Sequence, residues 1–550
     1  MADASELVSL YKQAKELRAR HDRQFRMNAA YCLPRDYSRW QGASQTADGN
    51  RTSDDVQARF AFDNTGVRAV AKYGAICKRL INPDNIKYHK VSADNDALLR
   101  VPAVRMYFDD VTDWLFRKRH NPMTGFGTAQ QEMYTSLGVY GTGPKSTMWS
   151  KELKTFRYKA WPLYDVFILV DDEGCVTHVF RRFFLNRMNF KRRFQGAALP
   201  AKLSSAQDTD INTVAECVHC VWKRSDYDAK ALGVRRMKWA SRYFVFEDAA
   251  YIGEEEGYLS NPYTITRNMT VAGDPYGYSP AEQAFPSLGG VNAMKKTYVK
   301  MGHKAVDPPL IAYDDGVLSG RIDQRPGRVT YGGVNQSGQA LIREMQTASN
   351  FQVAETLIQD ERTDINDSFL VTLFQILTDT PEMTAAEVYE RIAEKAALFA
   401  PTMAAIQEQD QGPQVEREIA LGAEEGELPP MPPELIEAKG EYKLTYTNPM
   451  NKALHATEVA GFARWHEMLA QDASLTGDPS ALDWVNWDNA APDIGDKMDV
   501  RAAWISTPEQ VKEKRAQRSQ AKQQQDLIAA APAAASVMAT AAKSGVNVNG

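Results

Sequence analysis

Hydrophobic residues recur at helical spacing in the first part of the chain. One apolar stripe consists of Leu7, Leu10, Tyr11, Ala14 and Leu17. Spacings of three and four place such residues on one side of a helix, which predicts a helix over residues 5–28. The pattern predicts two further helices, at residues 56–80 and 103–119. Each ends shortly before an Asn-Pro pair, because proline disfavours a helical conformation in the residue before it.

The pattern changes near residue 137. Up to residue 265, polar and apolar residues alternate, and runs of β-branched and aromatic residues occur at 166–170 and 217–222. Alternation with a period of two, interrupted by turn residues, is typical of strands. We therefore predict a mostly antiparallel β region with a helical insert around residues 185–195.

Helical patterns return near Pro280 and are interrupted by prolines. A helical run reaches about residue 305 and stops at Asp307-Pro308-Pro309-Leu310. Proline lacks the N–H that a continuing helix needs, and its ring clashes with the preceding turn. The chain then makes a proline- and glycine-rich excursion that closes at Arg325-Pro326-Gly327. A second helix is predicted from residue 351 to 377.

The longest predicted helix follows a polar break at residues 378–383. Thr384 and Glu387 fit a capping box. The apolar positions of this helix are Val388, Ile392, Ala396, Phe399, Met403 and Ile406. Pro401 lies inside the pattern and is expected to kink the helix. Beyond it we predict a linker at 422–433, a strand with helices at 441–505, and a tail that frays into disorder.

Composition narrows the class of protein. The 550 residues are too many for one core, and 43% hydrophobic with 25% charged residues is ordinary for a soluble globular protein. A net charge of -5 argues against a surface that is basic throughout, although a local basic patch remains compatible with contact to DNA. Five scattered cysteines suit a reducing compartment. The most membrane-like segment, 527–542, is shorter than the ~20 residues that span a bilayer and contains a proline.

Motifs for catalysis or metal binding are weak. Residues 138–146 resemble a phosphate loop, but Pro144 stands where the loop needs a backbone N–H donor. Cys217, His219 and Cys220 suggest zinc, yet they alternate across a strand and have no second ligand pair at a usual spacing. A buried strand is the better interpretation. We expect no enzymatic activity, no cofactor and no metal site.

Three groups of charged residues remain. Lys296, Lys300 and Lys304 share one helix face, and Asp360, Asp364 and Asp367 share a face of the later helix. Taken alone, each stripe is most simply a solvated surface. A second basic group consists of Arg181, Arg182, Arg187, Lys191, Arg192 and Arg193, interleaved with Phe183, Phe184, Phe190 and Phe194. Such interleaving can bind nucleic acid, but a helix that packs its phenylalanines inward is the preferred interpretation.

Three segments in sequence order resemble the portal, or head-to-tail connecting, family of short-tailed bacteriophages. The first comprises Tyr276-Gly277-x-Ser279-Pro280 with Ala284, Pro286, Leu288, Asn292 and Met294. The second comprises Asp307-Pro308-Pro309-Leu310, Asp315-Gly316-Val317-Leu318 and Arg325-Pro326-Gly327. The third comprises Met383-Thr384-Ala385-Ala386-Glu387-Val388 with Arg391, Glu394, Lys395 and Pro401. A weaker match is Ala29-Ala30-Tyr31-Cys32-Leu33-Pro34.

This resemblance implies an α+β portal fold that assembles as a ring, usually of twelve subunits, at one capsid vertex. DNA is packaged and ejected through the ring, and the packaging motor and then the tail attach to it. The implied parts are a wing (1–279), a first stem helix (280–305), a clip (306–350), a second stem helix (351–377), a tunnel loop (378–383), a long kinked wing helix with a linker (384–440), a crown (441–510) and a flexible tail (511–550).

The resemblance also assigns roles and partners. Channel- or DNA-facing candidates are Lys296, Lys300, Lys304, Thr378, Asp379, Thr380, Pro381, Glu382 and Met383. Inter-subunit candidates in the stem are Asp360, Asp364 and Asp367, and clip candidates for motor or adaptor contact are Asp307, Pro308, Pro309, Leu310, Arg325, Pro326 and Gly327. The implied partners are further copies of the chain, double-stranded DNA without sequence specificity, the major capsid protein, the large terminase subunit, and tail adaptor or head-completion proteins. The protein would be assembled in the host cytoplasm and reside in the virion, with no membrane partner.

Two alternatives belong to other classes. A different structural component of the virion, such as a tail tube or adaptor, leaves the proline-flanked excursion and the long helix unexplained. A packaging nuclease or NTPase needs an acidic metal-binding cluster or a phosphate loop, and neither is recognisable in the sequence.

Overall fold

The structure of the protein is a computed structural model that describes residues 4–41, 62–312, 337–344, 351–372, 399–438, 441–497 and 509–523, apart from positions 85, 100, 232 and 478, together with residues 334, 500, 504, 506 and 525. Several predictions lie outside the described residues. They concern the tunnel loop from Thr378 to Met383, the clip residues Arg325, Pro326 and Gly327, and the first part of the long helix at 384–398.

Helices and strands follow one another as an α+β chain. The helices are α1 (Ala4–Cys32), α2 (Pro34–Tyr37), α3 (Thr65–Ile81), α4 (Asp96–Leu99), α5 (Pro102–Arg119), α6 (Phe126–Tyr140), α7 (Arg187–Arg193), α8 (Ala201–Ser204), α9 (Pro280–Gln283), α10 (Phe285–Val306), α11 (Phe351–Ser368), α12 (Gly412–Glu424), α13 (Pro433–Glu437), α14 (Pro449–Thr476) and α15 (Trp487–Lys497). The strands are β1 (His89–Ala93), β2 (Thr142–Ser150), β3 (Thr155–Ala160), β4 (Val166–Val170), β5 (Val176–Asn186), β6 (Val214–Lys223), β7 (Trp239–Val245), β8 (Ala250–Tyr258), β9 (Tyr263–Arg267), β10 (Leu310–Ala312), β11 (Ile342–Glu344) and β12 (Tyr442–Tyr446).

Contacts within the chain divide it into two units. The first unit comprises Met1–Asp84 and Arg117–Glu427, and the second comprises Asn85–Phe116 and Leu428–Gly550. This grouping differs from the sequence-based parts, which kept residues 85–116 with the rest of the wing. The functional division into wing, stem, clip and crown stays a prediction.

A five-stranded antiparallel sheet forms the largest layer of the first unit, with the order β4-β5-β6-β7-β8. Helix α1 packs on this sheet, because its apolar stripe contacts rings that project from three strands. Tyr11 lies between Phe167, Phe180 and Phe244, with ring centroids 5.2 to 6.1 Å apart. The predicted N-terminal helix and antiparallel β region are therefore confirmed.

The predicted helical insert is confirmed as α7, between β5 and β6. Phe190 of this helix is buried in a cluster with Leu203 and Cys217, and Phe194 packs against the same cluster. The side chain of Asn186 caps the helix by accepting a hydrogen bond from the Asn189 N–H. The preferred interpretation, a helix whose phenylalanines pack inward, is correct for these two residues.

One helix of the first unit was not predicted. The β region was expected to begin at residue 137, but α6 continues to Tyr140 before β2 begins. Gly138 belongs to the helix, where a Cβ would lie 2.9 Å from the ring of Tyr73. Gly141 ends the helix with a φ of 68°. These glycines serve close packing and a left-handed cap, which explains the glycine-rich segment without a phosphate ligand.

The second sheet of the first unit has the order β3-β2-β9, so the strand that follows α6 is its centre. In the second unit, β1 pairs with β12, and Phe462 and His466 of α14 contact the ring of Trp487 on α15. Among the described residues, no helix has the length and apolar character needed to cross a bilayer.

Candidate stem and channel site

The two predicted stem helices, α10 and α11, lie side by side and run in opposite directions. The rings of Tyr298 and Phe351 meet edge to face, with centroids 5.6 Å apart. Further along the pair, a Cβ on Gly290 would lie 3.5 Å from the carboxylate of Glu361. Residue numbers that rise on one helix therefore fall on the other, as expected for a chain that leaves along one helix and returns along the next.

The entry to the first stem helix is built from the residues that carried the resemblance. The Ser279 side chain accepts a hydrogen bond from the Glu282 N–H, and Pro280 occupies the first turn, where its missing N–H costs nothing. Asn292 is buried, and its Oδ1 accepts hydrogen bonds from the N–H groups of Phe62 and Asp63 at 3.2 and 3.1 Å. Asn292 thus fixes the segment that leads into α3 against the stem.

The same segment is bound to the second stem helix. Arg362 of α11 forms an ion pair with Asp63, whose carboxylate also accepts a hydrogen bond from the Thr65 N–H at 2.8 Å. Burial opposes the charge on Asp63, but its hydrogen bonds and the nearby guanidinium together hold its pKa below the ordinary value. This end of the α10–α11 pair is therefore fixed by charge and hydrogen bonds as well as by packing.

All three candidate lysines of α10 are exposed. The Lys296 ammonium lies 5.4 Å from the ring centroid of Phe62, within the range of a cation–π contact. Among the described residues, Lys300 and Lys304 have no ion-pair partner. The predicted stripe is therefore a surface feature, with its free charges at the end of α10 that leads into the clip.

The acidic stripe lies at the other end of the helix pair. Asp360, Asp364 and Asp367 are exposed and have no carboxylate ion pair among the described residues, whereas Ile358 and Ile365 point into the protein. From the register of the two helices, Asp364 lies opposite about residue 286 of α10. At ~1.5 Å per residue, this is about 20 Å along the helix axis from Lys300. The structure does not bring the two stripes together within one subunit.

The predicted start of the clip coincides with the end of α10. Asp307 follows the last turn, and its N–H donates to the carbonyl of His303. After Pro308 and Pro309, Leu310 begins β10, which pairs antiparallel with β11 through Leu310 and Glu344. The double proline therefore ends the helix, as expected, and a short two-stranded ladder follows.

A buried network of charges behind β2 was not predicted. Lys145 contacts Asp410 at 2.5 Å, and Arg119 contacts Glu418 at 2.5 Å, with all four side chains inaccessible to solvent. Burial lowers the pKa of Lys145, while Asp410 acts in the opposite direction. Charges removed from water are tolerated only when they are paired and hydrogen-bonded. This network therefore ties the last part of the long helix to the central strand of the small sheet.

Neutral side chains complete the network. Lys145 donates to Gln130 and Gln414 at 2.7 and 2.6 Å, and Tyr158 donates to Glu418 at 2.7 Å. A signal for it existed in the sequence, because Asp410, Gln414 and Glu418 recur every four residues on one helix face. That pattern looks like a solvated stripe, and only the fold shows that this face is buried.

The helix that carries this network is irregular before Pro413. Residues 399–406 are α-helical, Gln407–Gln411 form a π-helical turn, and α12 continues to Glu424. A proline within an α-helix would clash with the carbonyl four residues earlier, and a widened turn relieves such a clash. The kink expected at Pro401 stays a prediction, since residues 384–398 lie outside the described residues, and the irregular turn that the structure describes precedes Pro413.

The candidate zinc residues are core residues. Cys217 and Cys220 are buried in different clusters on the two faces of the large sheet. His219 lies 2.7 Å from the Tyr263 hydroxyl and 2.9 Å from the Ser241 hydroxyl. Burial, together with the nearby Arg181 and Arg193, keeps the pKa of His219 well below its ordinary value. The interpretation of this segment as a buried strand is confirmed.

Comparison with known proteins assigns the chain to a family. The family described as bacteriophage head to tail connecting proteins matches residues 4–505. The chain belongs to this family. Head-to-tail connecting proteins are structural components of the virion, which confirms the resemblance found in the sequence and the expectation that the protein is not an enzyme.

Two relatives of the head-to-tail connecting protein are described as a portal protein and a probable portal protein. The portal protein of Salmonella phage epsilon15 is 25% identical over 401 residues, or 71% of each chain. The probable portal protein of Bordetella phage BPP-1 is 25% identical over 483 residues, which cover 85% of this chain and 84% of the relative. A solved chain from the neck of an empty GTA particle is 14% identical and covers 78% of this chain and 94% of its own length, with a TM-score of 0.35. This structural likeness is too low to carry an argument.

Proposed function

We propose that the protein forms the ring-shaped portal at one capsid vertex, through which double-stranded DNA enters during packaging and leaves during ejection. The family match over residues 4–505 carries this proposal. The paired helices α10 and α11, joined by a proline-flanked excursion, support it. The partners we propose are further copies of the chain, the major capsid protein, the large terminase subunit and, after packaging, the tail adaptor or head-completion proteins. Assembly would take place in the host cytoplasm.

Electron microscopy with mass photometry on the purified full-length chain tests the ring. We expect rings with a central hole and a mass near twelve times 61.5 kDa. Particles that stay monomeric over a range of salt and protein concentration would contradict the proposal. In that case, nuclease and nucleotide-hydrolysis screens would test the alternative class.

For the stem, we propose that Lys300 and Lys304 face the channel and contact the DNA backbone. A ring repeats each lysine around its axis, and such belts of charge hold phosphates without reading bases. Pairing with the acidic stripe of a neighbour is less favourable on geometric grounds. Rotation about the ring axis preserves height along that axis, and the centres of the two stripes, Lys300 and Asp364, lie about 20 Å apart along the helix. The stripes therefore meet along their whole length only if the stems are strongly inclined.

Replacing Lys296, Lys300 and Lys304 by glutamine separates the two roles. We expect rings to assemble and DNA retention to fall, because the lost charges would face DNA rather than a neighbouring subunit. Weakened assembly would favour pairing with Asp360, Asp364 and Asp367 of the next stem. If neither property changed, the stripe would be only a solvated surface.

We further propose that residues 378–383 form the tunnel loop. The sequence there is short and polar, and Asp379 and Glu382 would repel phosphates, which suits a low-friction contact with moving DNA. Deleting residues 379–382 is expected to leave rings intact while impairing packaging or retention. Loss of the rings would contradict this assignment.

A further inference from the structure

Three cations on the first unit alternate with two aromatic rings. Lys159 and Arg181 each lie 4.2 Å from the ring centroid of Trp161. Arg181 and Arg193 then lie 4.8 and 4.5 Å from the ring centroid of Phe183. Arg157 is exposed two residues before Lys159 on the same strand, so its side chain projects to the same face. Arg157, Lys159, Arg181 and Arg193 are here called the basic ladder.

The basic ladder is poor in counter-charge. Among the described residues, none of its four cations has a carboxylate within ion-pair distance. Burial is the first cause that lowers the pKa of Lys159, and the neighbouring Arg181, Arg157 and Arg193 lower it further, while Glu132 acts in the opposite direction. The ladder is therefore a group of like charges that repel one another, which is unfavourable for the isolated protein.

Other basic residues of the same region are paired. Arg187 and Lys191 of α7 share Asp208 at 2.9 and 3.0 Å, and Arg182 contacts Asp165 at 3.3 Å. The second basic group recognised in the sequence thus separates, apart from the exposed Arg192, into two sets. One set forms ordinary surface ion pairs, and Arg181 and Arg193 belong to the ladder.

Hydrogen bonds hold the ladder in place. The Trp161 Nε1–H donates to the Ser146 hydroxyl at 2.8 Å, and the Arg181 Nε–H donates to the Tyr263 hydroxyl at 2.9 Å. Arg181 is only 5% exposed, so its position is set by the surrounding protein. Preorganised cations without a partner are typical of a surface that receives an anion, because ordering the side chains then adds little to the cost of binding.

The chemistry favours a row of phosphates over bases or apolar groups. The rings of Trp161 and Phe183 already carry cations near their faces, so they are poorly placed to stack on a base. Arg157, Lys159 and Arg193 present positive charge outward, while the buried Arg181 lies between the two rings. Arginine matches phosphate oxygens with two parallel hydrogen bonds. We propose that the basic ladder binds the sugar-phosphate backbone of double-stranded DNA outside the channel. This inference rests on the proposed function, because DNA is the polyanion which that function brings to the protein.

Closed circular DNA provides a direct test, because a circle cannot thread a closed ring. Binding of a relaxed circular duplex to the full-length assembled protein would be measured over a series of salt concentrations. The test variant is Arg157→Gln/Lys159→Gln/Arg193→Gln, which leaves the buried Arg181 in place. The matched control is Lys191→Gln/Lys202→Gln/Arg235→Gln, which removes the same charge from exposed cations already within 3.0 to 3.8 Å of a carboxylate.

We expect the test variant to bind the circle about 100-fold more weakly near 0.1 M salt and the control to resemble the parent. The slope of log K against log salt should become shallower by about 2 to 3, since each lost phosphate contact contributes about 0.9. Unchanged binding in the test variant, an equal loss in the control, or no binding of circles by the parent would each overturn the proposal. If the test variant lost binding to poly-glutamate but kept its binding to circular DNA, the proposal would also be overturned and the partner would be an acidic protein.

The mass of the particles is measured on the same samples. A chain that stays monomeric but binds circles through the ladder would contradict the ring and leave the ladder intact. Rings that bind circular DNA equally well with and without the ladder cations would contradict the ladder proposal and leave the ring proposal intact. The two proposals therefore fail separately.

Discussion

Methionine at position 145 would keep most of the volume of the lysine side chain while removing its ammonium group. Asp410 would retain its hydrogen bond from Gln130 at 2.7 Å but lose the ion pair at 2.5 Å. Breaking a fully buried pair by removing one partner costs about 3–5 kcal/mol, because the remaining charge stays out of water. We expect Lys145→Met to lower the free energy of unfolding by this amount.

Denaturant unfolding followed by tryptophan fluorescence would measure the effect, at one protein concentration and pH 7. The control is Lys202→Met, which removes a lysine from an exposed pair with Glu247 at 3.0 Å. Exposed pairs contribute about 0–1 kcal/mol, so the control should lie close to the parent. Similar small costs for the two variants would refute the argument that removing Lys145 leaves the Asp410 carboxylate buried without its ion-pair partner.

A double variant separates the lost pair from the lost side chain. Lys145→Met/Asp410→Leu removes both charges and leaves apolar groups of similar size, which is often close to neutral for a buried pair. We expect it to recover at least about 2 kcal/mol relative to Lys145→Met. A double variant that is less stable than the single one would show that Asp410 supports the fold through other contacts.

Three further predictions concern other parts of the first unit. Burial, Arg181 and Arg193 lower the pKa of His219 in the folded chain, so below pH 6.5 the unfolded chain binds a proton there that the folded chain does not. The free energy of unfolding should therefore fall with decreasing pH by up to about 1.4 kcal/mol per pH unit, and His219→Gln should flatten this pH dependence. Asn292→Ala should lower the free energy of unfolding in denaturant by about 1–3 kcal/mol, since two backbone N–H groups lose their acceptor. Thr297→Ala on the exposed face of the same helix should change this free energy little, and equal effects of the two variants would contradict the role given to Asn292. Gly141→Ala should give insoluble protein, because a Cβ there would overlap the carbonyl oxygen of Gly277. The control Gly174→Ala should stay soluble at a cost of about 1–2 kcal/mol, because Gly174 has a φ of 79° but open space around it, and a folded Gly141→Ala variant would contradict the close approach.

Local signals in the sequence predicted the elements that depend on local chemistry. Three such signals act within a few residues: the apolar stripe of α1, the alternation in β5 and β6, and the double proline after α10. Each therefore predicts the secondary structure of the segment in which it occurs. Asn292 was recognised only as part of a motif. Its hydrogen bonds to Phe62 and Asp63 join positions about 230 residues apart, and no local pattern reports such a contact.

The buried charge network shows where sequence reasoning fails. Lys145 lies next to Pro144 in a glycine-rich segment, and its partner Asp410 is far away in the chain. Charged residues are almost always exposed, so the sequence alone gives no reason to expect either residue in the core. Which face of α12 is buried depends on the strand that packs against it, and this is settled by the tertiary fold.

The basic group of β5 and α7 shows a related limit. Counting its arginines and phenylalanines raised two interpretations, and the structure confirms inward packing for Phe190 and Phe194. Phe190 packs inward, whereas Arg193 turns outward to Phe183. Charge pairing with Asp208 and stacking on Trp161 depend on residues from other parts of the chain, which the composition of the segment does not contain.

The close approach of two backbones at Gly141 and Gly277 constrains how this chain can change over evolutionary time. A side chain at either position would meet the carbonyl oxygen of the other, and the Gly277 N–H also donates to the Thr142 hydroxyl at 3.1 Å. A substitution at one position cannot be relieved by a change at the other, since both are already the smallest residue. Among relatives that keep this crossing ahead of α10, both sites should remain glycine even where the surrounding sequence has diverged.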